Sequence, residues 1–353
     1  MAALNVRSVK TVAENPNLTH IPPMYAFQTL SRSVDQKISG DGAGEDEDPI
    51  PIIDLSLLTS GAHDQRSAVM QDLGNSCQEK GYFMVINHGI DEGLMNKMID
   101  SCSQFFDLEQ EEKRQYEGKH TLDPISYGTS VDASVTEVFF WRDYLRVLVH
   151  PEFHSPTKPS GFSEVLAEFT KAVRRVVRDL LGGISESLGL DSCYIDRAMD
   201  LESSLQLFGV NLYPPCPQPE LAMGLPPHTD HGLLTVLMQN AVNGLQVQHK
   251  GKWVDANIIS GALFVNIGDH LEVLTNGKYK SVVHRAVVNN KSTRISIAMP
   301  HGPSLDTVVS PAAELLENGC PRANYTGMKY KDYLEIQHKS KLRGKTRLDL
   351  LKI

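Results

Sequence analysis

The spacing of apolar residues changes along the chain, from a helical period in the first half to strand-like alternation in the second. Helical spacing predicts helices over 66–80, 91–106 and 163–188, and the continuous apolar run 82–86 predicts a buried strand. A short strand over 50–55 precedes these elements. The first half of the chain is therefore expected to be mainly helical.

From residue 205 onwards, short β-branched or alternating segments are separated by Gly, Pro and Asn. Strands are predicted over 205–213, 234–239, 244–249, 262–267, 281–289 and 294–300, and a final helix over 329–341. Strands at this spacing, with turn residues between them, indicate an antiparallel sandwich or barrel. We expect a mainly β fold with flanking helices, in which a jelly roll (double-stranded β-helix) follows an N-terminal helical region.

This pattern divides the chain into four parts. An extension that ends in an acidic, glycine-rich linker is expected over 1–49, and a region of helices and strands over 50–200. The jelly-roll core is expected over 201–310. A C-terminal helical segment is expected over 311–353.

Composition narrows the possible functions. The chain has 353 residues, 41% of them hydrophobic, which is enough for one sizeable core. Its apolar runs are too short to cross a bilayer and its N-terminus lacks a secretory pattern, so we expect a cytoplasmic protein with no membrane partner. A net charge of −9 argues against nucleic acid as a partner. The five cysteines include no CxxC pair, which fits a reducing compartment. A monomer is the default expectation.

The first candidate chemistry lies at His228 and Asp230. If this segment is extended, residues two apart project from one face, so an imidazole and a carboxylate can converge on one cation. Such a pair is a weak signal in a chain with 13 histidines. His284, in a later strand-like segment, offers a second imidazole. Two histidines and one carboxylate form the facial triad of non-haem iron(II) oxygenases, which leaves positions open for O₂ and a cosubstrate.

Arg294 and Ser296 strengthen the metal hypothesis. Alternation along their predicted strand puts both on one face, where a guanidinium fork and a hydroxyl can hold a carboxylate. A structural ion pair is the alternative role for Arg294. A buried arginine in an apolar strand needs an anion, and a dicarboxylate ligand would supply it.

In their order and spacing these motifs resemble the plant soluble 2-oxoglutarate- and iron(II)-dependent dioxygenases, within the isopenicillin N synthase-like superfamily. The segments 211–217 (NLYPPCP), 264–269 (FVNIGD) and 81–89 (GYFMVINHG) also resemble that family. The resemblance implies metal ligands at His228, Asp230 and His284. The residues that it implies for 2-oxoglutarate are Arg294, Ser296, Tyr213 and Asn211.

The resemblance further implies an enzyme that uses Fe(II), O₂ and 2-oxoglutarate, with ascorbate in a supporting role. Family chemistry releases succinate and CO₂ while the substrate is hydroxylated, desaturated, cyclised or demethylated. The expected substrate is a hydrophobic small molecule of specialised metabolism or hormone turnover. A catalytically silent barrel that binds a small ligand as a receptor or carrier is the alternative, and the intact triad and clamp argue against it.

The substrate pocket is the least determined part. The segment before the long helix borders the active site in relatives, and aromatic residues there suit an aromatic or terpenoid-like ligand, although packing in the core is an equal alternative. The substrate candidates are Tyr127, Phe139, Phe140 and Trp141, and the less favoured Met299 and His301, which follow Ser296. Gly209 stands where some flavonoid-oxidising relatives carry a lysine, and 297–303 lacks their Phe and Glu. Typical anthocyanidin-pathway activity is therefore not expected.

His231 directly follows the candidate metal ligands. In a continuing strand its side chain points to the opposite face, so we expect a structural role or a contact behind the metal ligands.

Overall fold

The structure, a computed structural model, describes residues 8–27, 49–118, 120, 122–130, 139–317, 322–339 and 347–353. The acidic part of the predicted linker and Cys320 lie outside the described residues. None of the described helices is both long and apolar enough to span a membrane.

Helices dominate the first half of the chain and strands the second. The helices, numbered in chain order, are α1 Val9–Ala13, α2 Leu55–Ser60, α3 His63–Glu79, α4 Glu92–Asp107, α5 Gln110–Arg114, α6 Phe162–Ser187, α7 Tyr194–Ala198, α8 Asp269–Leu274, α9 Ala313–Glu317 and α10 Tyr330–Lys339. The strands are β1 Ile52–Asp54, β2 Tyr82–Ile86, β3 Ile125–Thr129, β4 Asp143–His150, β5 Gln206–Tyr213, β6 Leu225–His228, β7 Leu234–Gln239, β8 Leu245–His249, β9 Lys252–Asp255, β10 Leu263–Ile267, β11 His284–Ala286, β12 Arg294–His301, β13 Val308–Val309 and β14 Met328–Lys329.

Two sheets form the centre of the molecule. The larger has eight strands in the order β1-β2-β10-β7-β12-β5-β4-β3, and the smaller has four in the order β6-β11-β8-β9. Leu237 and Phe264 of the larger sheet pack with Leu245 and Val247 of the smaller sheet, so the two sheets face each other. The larger sheet takes strands from both sides of residue 200, so it crosses the predicted division there. The four-part division of the chain stays a prediction.

The other face of the larger sheet is covered by helices. Alternate residues of its central strands, such as Val210 and Ile297, share one apolar core with Phe169 and Val173 of α6. Gly183 allows this packing to be close, because a Cβ there would lie only 2.9 Å from Cδ2 of Leu58. Burial of this apolar face holds the helices on the sheet.

The N-terminal segment is tied to the edge of the larger sheet. The backbone N–H groups of Val9 and Lys10 donate to the carboxylate of Asp143 on β4, at 2.8 and 2.9 Å, and the Thr129 hydroxyl donates to it at 2.6 Å. Burial raises the pKa of Asp143, while these donors act to lower it. Helix α1 is thus attached to the folded body.

The predicted elements agree with the structure wherever the pattern is unbroken. β2 and β7 have the predicted bounds, and the predicted helices differ only near their ends. The predicted strand 281–289 is wrong in extent, because only β11 is paired and its register with β6 shifts between His284 and Ala286. Beyond β11 the flanking residues keep single backbone hydrogen bonds, from the N–H of Gln248 to the carbonyl of Val283 and from the N–H of Val287 to the carbonyl of Gly244, both at 2.8 Å. β3 and β4 were not predicted, although the buried residues Leu145, Val147 and Val149 alternate with half-buried residues in β4.

Candidate active site

Two histidines face each other across the smaller sheet. His228 ends β6, His284 begins β11, and the two are direct cross-strand partners with ring centroids 4.2 Å apart. Nδ1 of His228 lies 2.8 Å from the carbonyl oxygen of Pro226, and Nδ1 of His284 lies 3.2 Å from that of Val282. When Nδ1 donates to a backbone carbonyl, the lone pair of Nε2 is left for a metal ion.

Asp230 completes the group. Its Oδ1 lies 3.6 Å from Nε2 of His228 and 3.6 Å from Nε2 of His284. One ligand atom from each of the three residues lies within 4.8 Å of the others. The amide of Asn266 donates to Oδ2 of Asp230 at 3.5 Å, so the second oxygen is held on the far side. The strand ends at His228 rather than continuing to Asp230, yet the structure brings together the three residues that the sequence groups.

Burial has the largest influence on the protonation of this cluster. It lowers the pKa of His228 to about 3, and the neighbouring His284 acts in the same direction. Burial opposes the ionisation of Asp230, but the two imidazoles outweigh it and the pKa lies below its ordinary value. Metal ligands must be deprotonated, so a neutral imidazole beside an ionised carboxylate is ready to bind. Two imidazole nitrogens and one carboxylate oxygen on one side of a cation fit Fe(II).

Arg294 and Ser296 lie at the start of β12 on the larger sheet. Arg294 is paired with Tyr213 and Ser296 with Asn211 in the neighbouring strand β5, so the four side chains share one face. The Arg294 guanidinium lies over the Tyr213 ring, 5.2 Å from its centroid. These are the four residues that the resemblance implies for 2-oxoglutarate, and the structure brings them together.

The Arg294 side chain is almost fully buried, with 1% of its surface exposed. Its Nε and Nη2 donate to Oε1 of Gln239 at 3.1 and 2.8 Å, whereas its Nη1 is buried with no hydrogen-bond partner among the described residues. A buried guanidinium whose described partner is an uncharged amide favours an incoming carboxylate. The far carboxylate of 2-oxoglutarate matches this requirement.

Two residues of this region escape prediction from the sequence. Gln239 is the direct partner of Ser296 on β7, and Arg142 donates from Nη1 to Oδ1 of Asn211 at 2.7 Å. The guanidinium of Arg142 lies over the ring of Tyr144, 5.2 Å from its centroid. Alternation along β4, continued back by one residue, could have placed Arg142 and Tyr144 on one face, but that strand was not predicted.

A buried carboxylate lies behind the metal-binding segment. Asp269 accepts hydrogen bonds from the hydroxyls of Thr229 at 3.1 Å, Ser281 at 2.6 Å and Tyr333 at 2.7 Å. Burial raises its pKa to about 6 against the effect of these three donors. Asp269 thus joins the segment between His228 and Asp230, the approach to His284 and helix α10.

His231 also contacts α10. Its Nδ1 lies 2.7 Å from the hydroxyl oxygen of Tyr330. This contact with a helix behind the metal-binding segment agrees with the structural role that its position predicts.

Tyr127 and Met299, two of the substrate candidates, are placed away from the metal ligands. Both lie in the main core under the helices. Strand alternation explains the difference, since Ser296 and Ala298 project to the metal side of β12 and Met299 to the other. Tyr127 likewise shares its face with its core-facing partner Leu145. The prediction that these two residues contact substrate is corrected.

The aromatic candidates lie nearer to the 2-oxoglutarate end, whereas His301 lies at the opposite end of β12 from Arg294. Phe139 and Trp141 pack around Tyr25, in a cluster that also contains Tyr213. The indole N–H of Trp141 donates to the carbonyl of Pro214 at 3.0 Å, so it supports this end of the site from behind. Phe140 stacks on Phe27 with centroids 6.3 Å apart. His301 is buried, and its Nδ1 lies 2.9 Å from the carbonyl oxygen of Met299.

Comparison with known proteins gives two matching family models. Residues 204–303 match the 2OG-Fe(II) oxygenase superfamily. Residues 50–167 match the N-terminal region described as non-haem dioxygenase in morphine synthesis. The first match contains all seven residues that the sequence assigns to metal and 2-oxoglutarate binding.

The relatives match over most of their length. The chain is 43% identical to 2-oxoglutarate-dependent dioxygenase 19 of Oryza sativa subsp. japonica, over 89% of this chain and 94% of that protein. It is 38% identical to protein DMR6-LIKE OXYGENASE 2 of Arabidopsis thaliana, over 90% of this chain and 89% of that protein. Among solved structures, JOX2 in complex with 2OG, Fe and JA superposes with a TM-score of 0.86 at 28% identity, covering 99% of this chain and 98% of JOX2.

Proposed function

The chain belongs to the 2OG-Fe(II) oxygenase superfamily, and we propose that it oxidises a hydrophobic small molecule of plant specialised metabolism or hormone turnover. As a member it is a 2-oxoglutarate-dependent dioxygenase that uses Fe(II) and 2-oxoglutarate. The predictions of family, enzyme class, these cofactors and a mainly β fold with a jelly-roll core are confirmed. The observation that supports the proposal is that His228, Asp230 and His284 lie close together, on the side of the larger sheet to which Arg294 projects.

In this proposal Nε2 of His228, Nε2 of His284 and Oδ1 of Asp230 hold the iron. Iron, when bound, supplies the oxygen chemistry that amino-acid side chains cannot perform. The chain's own contribution is orientation. Backbone carbonyls fix both imidazole rings, and Asn266 restrains the second oxygen of Asp230.

The 2-oxoglutarate site is proposed at the facing end of the larger sheet. Nη1 of Arg294 donates to the far carboxylate of the cosubstrate, and the Ser296 hydroxyl lies beside it on the same strand face. Gln239 holds the guanidinium in place through its two hydrogen bonds. Tyr213 and Asn211 line the same place from β5.

The substrate is proposed to lie between the two sheets, near the metal ligands. Apolar residues of both sheets pack together beside this place, which suits a largely hydrophobic molecule. JOX2 was crystallised with 2OG, Fe and JA together, which supports a small-molecule substrate beside the cosubstrate. Hydroxylation, desaturation, cyclisation and demethylation, each with release of succinate and CO₂, all remain within the proposal.

A metabolite screen tests the proposal. Purified protein is incubated with Fe(II), ascorbate, 2-oxoglutarate and fractions of a plant extract, while succinate release and mass changes of the metabolites are measured. We expect one fraction to release succinate together with oxygen gain, hydrogen loss or methyl loss. A ligand that binds without succinate release would instead support the silent-barrel alternative.

The triad is tested in the same assay. We expect His228→Ala and Asp230→Ala to abolish succinate release while the protein stays folded, because each removes one of three metal ligands. His63→Ala is the matched control, since this histidine lies on the surface at the start of α3. Full activity in either triad variant would contradict the assignment of that residue.

A further inference from the structure

A row of residues on the metal-facing side of the larger sheet contains an arginine. The register places Arg146 of β4 beside Gly209 of β5, Gly209 beside Ala298 of β12, and Ala298 beside Leu237 of β7. Direct partners project to the same side of a sheet. Leu237 and Ala298 pack against residues of the smaller sheet, so Arg146 also projects to the side on which the metal ligands lie.

Along β4, Arg146 lies between the row of residues beside the 2-oxoglutarate site and the end of the strand that packs against α10. The next row towards 2-oxoglutarate contains Tyr144 and Asn211. In the other direction, Leu148 packs in the cluster that contains Tyr330 of α10, the partner of His231.

The guanidinium of Arg146 lacks a charged partner among the described residues. Its Nη2 donates to the carbonyl of His120 at 3.2 Å, and its Nε is buried with no hydrogen-bond partner. Burial lowers the pKa of Arg146, while Tyr144 and the charge of Asp123 act in the opposite direction. A cation held in this way favours an anion from outside the protein. Arg142 also has a buried Nε without a partner among the described residues, but its Nη1 donates to the side chain of Asn211, which the 2-oxoglutarate site already includes.

The residues beside Arg146 leave room for such an anion. Gly209 and Ala298 have the smallest side chains, so the sheet next to the guanidinium is low and flat. A glycine inside a strand often marks a close approach of a ligand. Gly209 has a negative φ, so its backbone conformation does not require a glycine.

We infer that Arg146 binds a carboxylate group of the substrate, whose body crosses Gly209 and Ala298 towards the metal ligands. A guanidinium fork and a carboxylate form paired, charge-assisted hydrogen bonds. This inference rests on the proposed function and narrows its substrate class to hydrophobic organic acids.

The experiment separates the substrate class from the enzyme activity. Plant metabolites are divided into acidic and neutral fractions by anion exchange, and part of the acidic fraction is methyl-esterified. Each fraction is tested for succinate release with wild-type protein, Fe(II) and 2-oxoglutarate. We expect release with the acidic fraction and its loss after esterification. Release with the neutral fraction alone would overturn the inference and leave the oxygenase proposal standing, whereas release with no fraction would count against both.

Variants then test the arginine itself. With the acidic fraction, Arg146→Gln should lower the rate at limiting substrate about 10- to 100-fold, the loss expected for charge-assisted hydrogen bonds. Its affinity for 2-oxoglutarate, measured by titration of the Mn(II)-loaded protein, should be unchanged. Arg197→Gln is the matched control, since Arg197 forms a surface ion pair with Asp191. Unchanged activity of Arg146→Gln would overturn the inference.

A second variant guards against misfolding of the first. Ala298→Leu places a larger side chain in the row beside Arg146 and leaves the charge of the arginine unchanged. We expect it to weaken turnover of the acidic fraction and to preserve both 2-oxoglutarate binding and the melting temperature. Equal turnover in Ala298→Leu and wild type would show that no substrate crosses this row.

Discussion

At the residue scale, the two ends of the site are prepared in different ways. The histidines have their Nδ1 atoms engaged by backbone carbonyls, so the ligand atoms are set by the main chain. Arg294 is held by side chains, through two hydrogen bonds to Gln239 and its place over the Tyr213 ring, and its Nη1 has no hydrogen-bond partner in the described part of the chain. Metal binding should therefore tolerate changes around the site better than 2-oxoglutarate binding does.

Arg294→Ala should raise the 2-oxoglutarate requirement much more than the iron requirement. Loss of a charge-assisted pair corresponds to about 1.5–3 kcal/mol, or roughly a 10- to 150-fold higher KM for 2-oxoglutarate. Succinate release is measured while each component is varied at saturation of the other. Arg197→Ala serves as the control on an exposed arginine. Equal increases in both requirements would indicate general damage instead of a lost clamp.

Site residues could be predicted from the sequence where reactive side chains recur at the two-residue spacing of a strand. His228 and Asp230 follow from their spacing, His284 from its strand-like segment and the family resemblance, and the alternation in β12 places Arg294 with Ser296. Gln239, Arg142 and Arg146 could not be found in this way. These residues come close to the site because β7 and β4 lie next to β12 and β5 in the sheet. This order pairs strands that are far apart in the sequence, so periodicity alone does not reveal it. Tyr127 and Met299 failed for a related reason, since aromatic or apolar character does not reveal which face of a strand is turned to the metal.

At the element scale, α10 supports the metal-binding segment from behind. Tyr330 contacts His231, and Tyr333 donates to Asp269, which also accepts from Thr229. The sequence predicted this helix but could not show what it touches, because its partners lie in the metal-binding segment and in α8. The C-terminal helix is therefore a positioning element for the metal ligands.

Tyr333→Phe should lower both stability and metal affinity. Removal of one donor from a buried carboxylate costs about 1–3 kcal/mol, and the Thr229 segment loses part of its anchor. Mn(II) affinity is measured by titration and the free energy of unfolding by urea denaturation. Tyr194→Phe is the control, because its hydroxyl donates to Glu314 on the surface. Lower stability with unchanged Mn(II) affinity would limit Tyr333 to a purely structural role.

Two adjacent glycines of α6 provide a matched test of helix packing. A Cβ at Gly182 would meet only the carbonyl oxygen of Ser192 at 3.6 Å, so Gly182→Ala should stabilise the protein by about 0.5–1 kcal/mol through helix propensity. At Gly183 the added atom meets Leu58 and Leu73 in the core, and overpacking should destabilise it by about 1–3 kcal/mol. Urea denaturation of the two variants measures the difference. Equal effects would contradict the close approach of α2 to α6.

At the scale of the whole molecule, the site joins the two sheets. The metal ligands come from the smaller sheet and the segment after β6, while Arg294, Ser296 and their partners come from the larger sheet. Bound metal and 2-oxoglutarate should therefore link the sheets and stabilise the folded chain as a unit.

Ligand addition should raise the melting temperature in two separable steps. Mn(II), and then 2-oxoglutarate, each at 100 times its Kd, should stabilise the fold by about 2.7 kcal/mol. Asp230→Ala should lose both increments, and Arg294→Ala only the second. Differential scanning fluorimetry records the shifts. If 2-oxoglutarate raised the melting temperature of Arg294→Ala as much as that of the wild type, the far carboxylate of 2-oxoglutarate would have to bind elsewhere.

The attachment of the N-terminal segment to Asp143 affects how the protein can be shortened. The family match begins at residue 50, which invites truncation there. Such a chain would lack the two N–H donors of α1 and Tyr25, leaving a buried carboxylate short of partners and the indole of Trp141 uncovered. Next to Asp143 is Arg142, the partner of Asn211. Removal of residues 1–49, or fusion of a bulky tag close to Ser8, would thus weaken 2-oxoglutarate binding although neither change touches the binding residues.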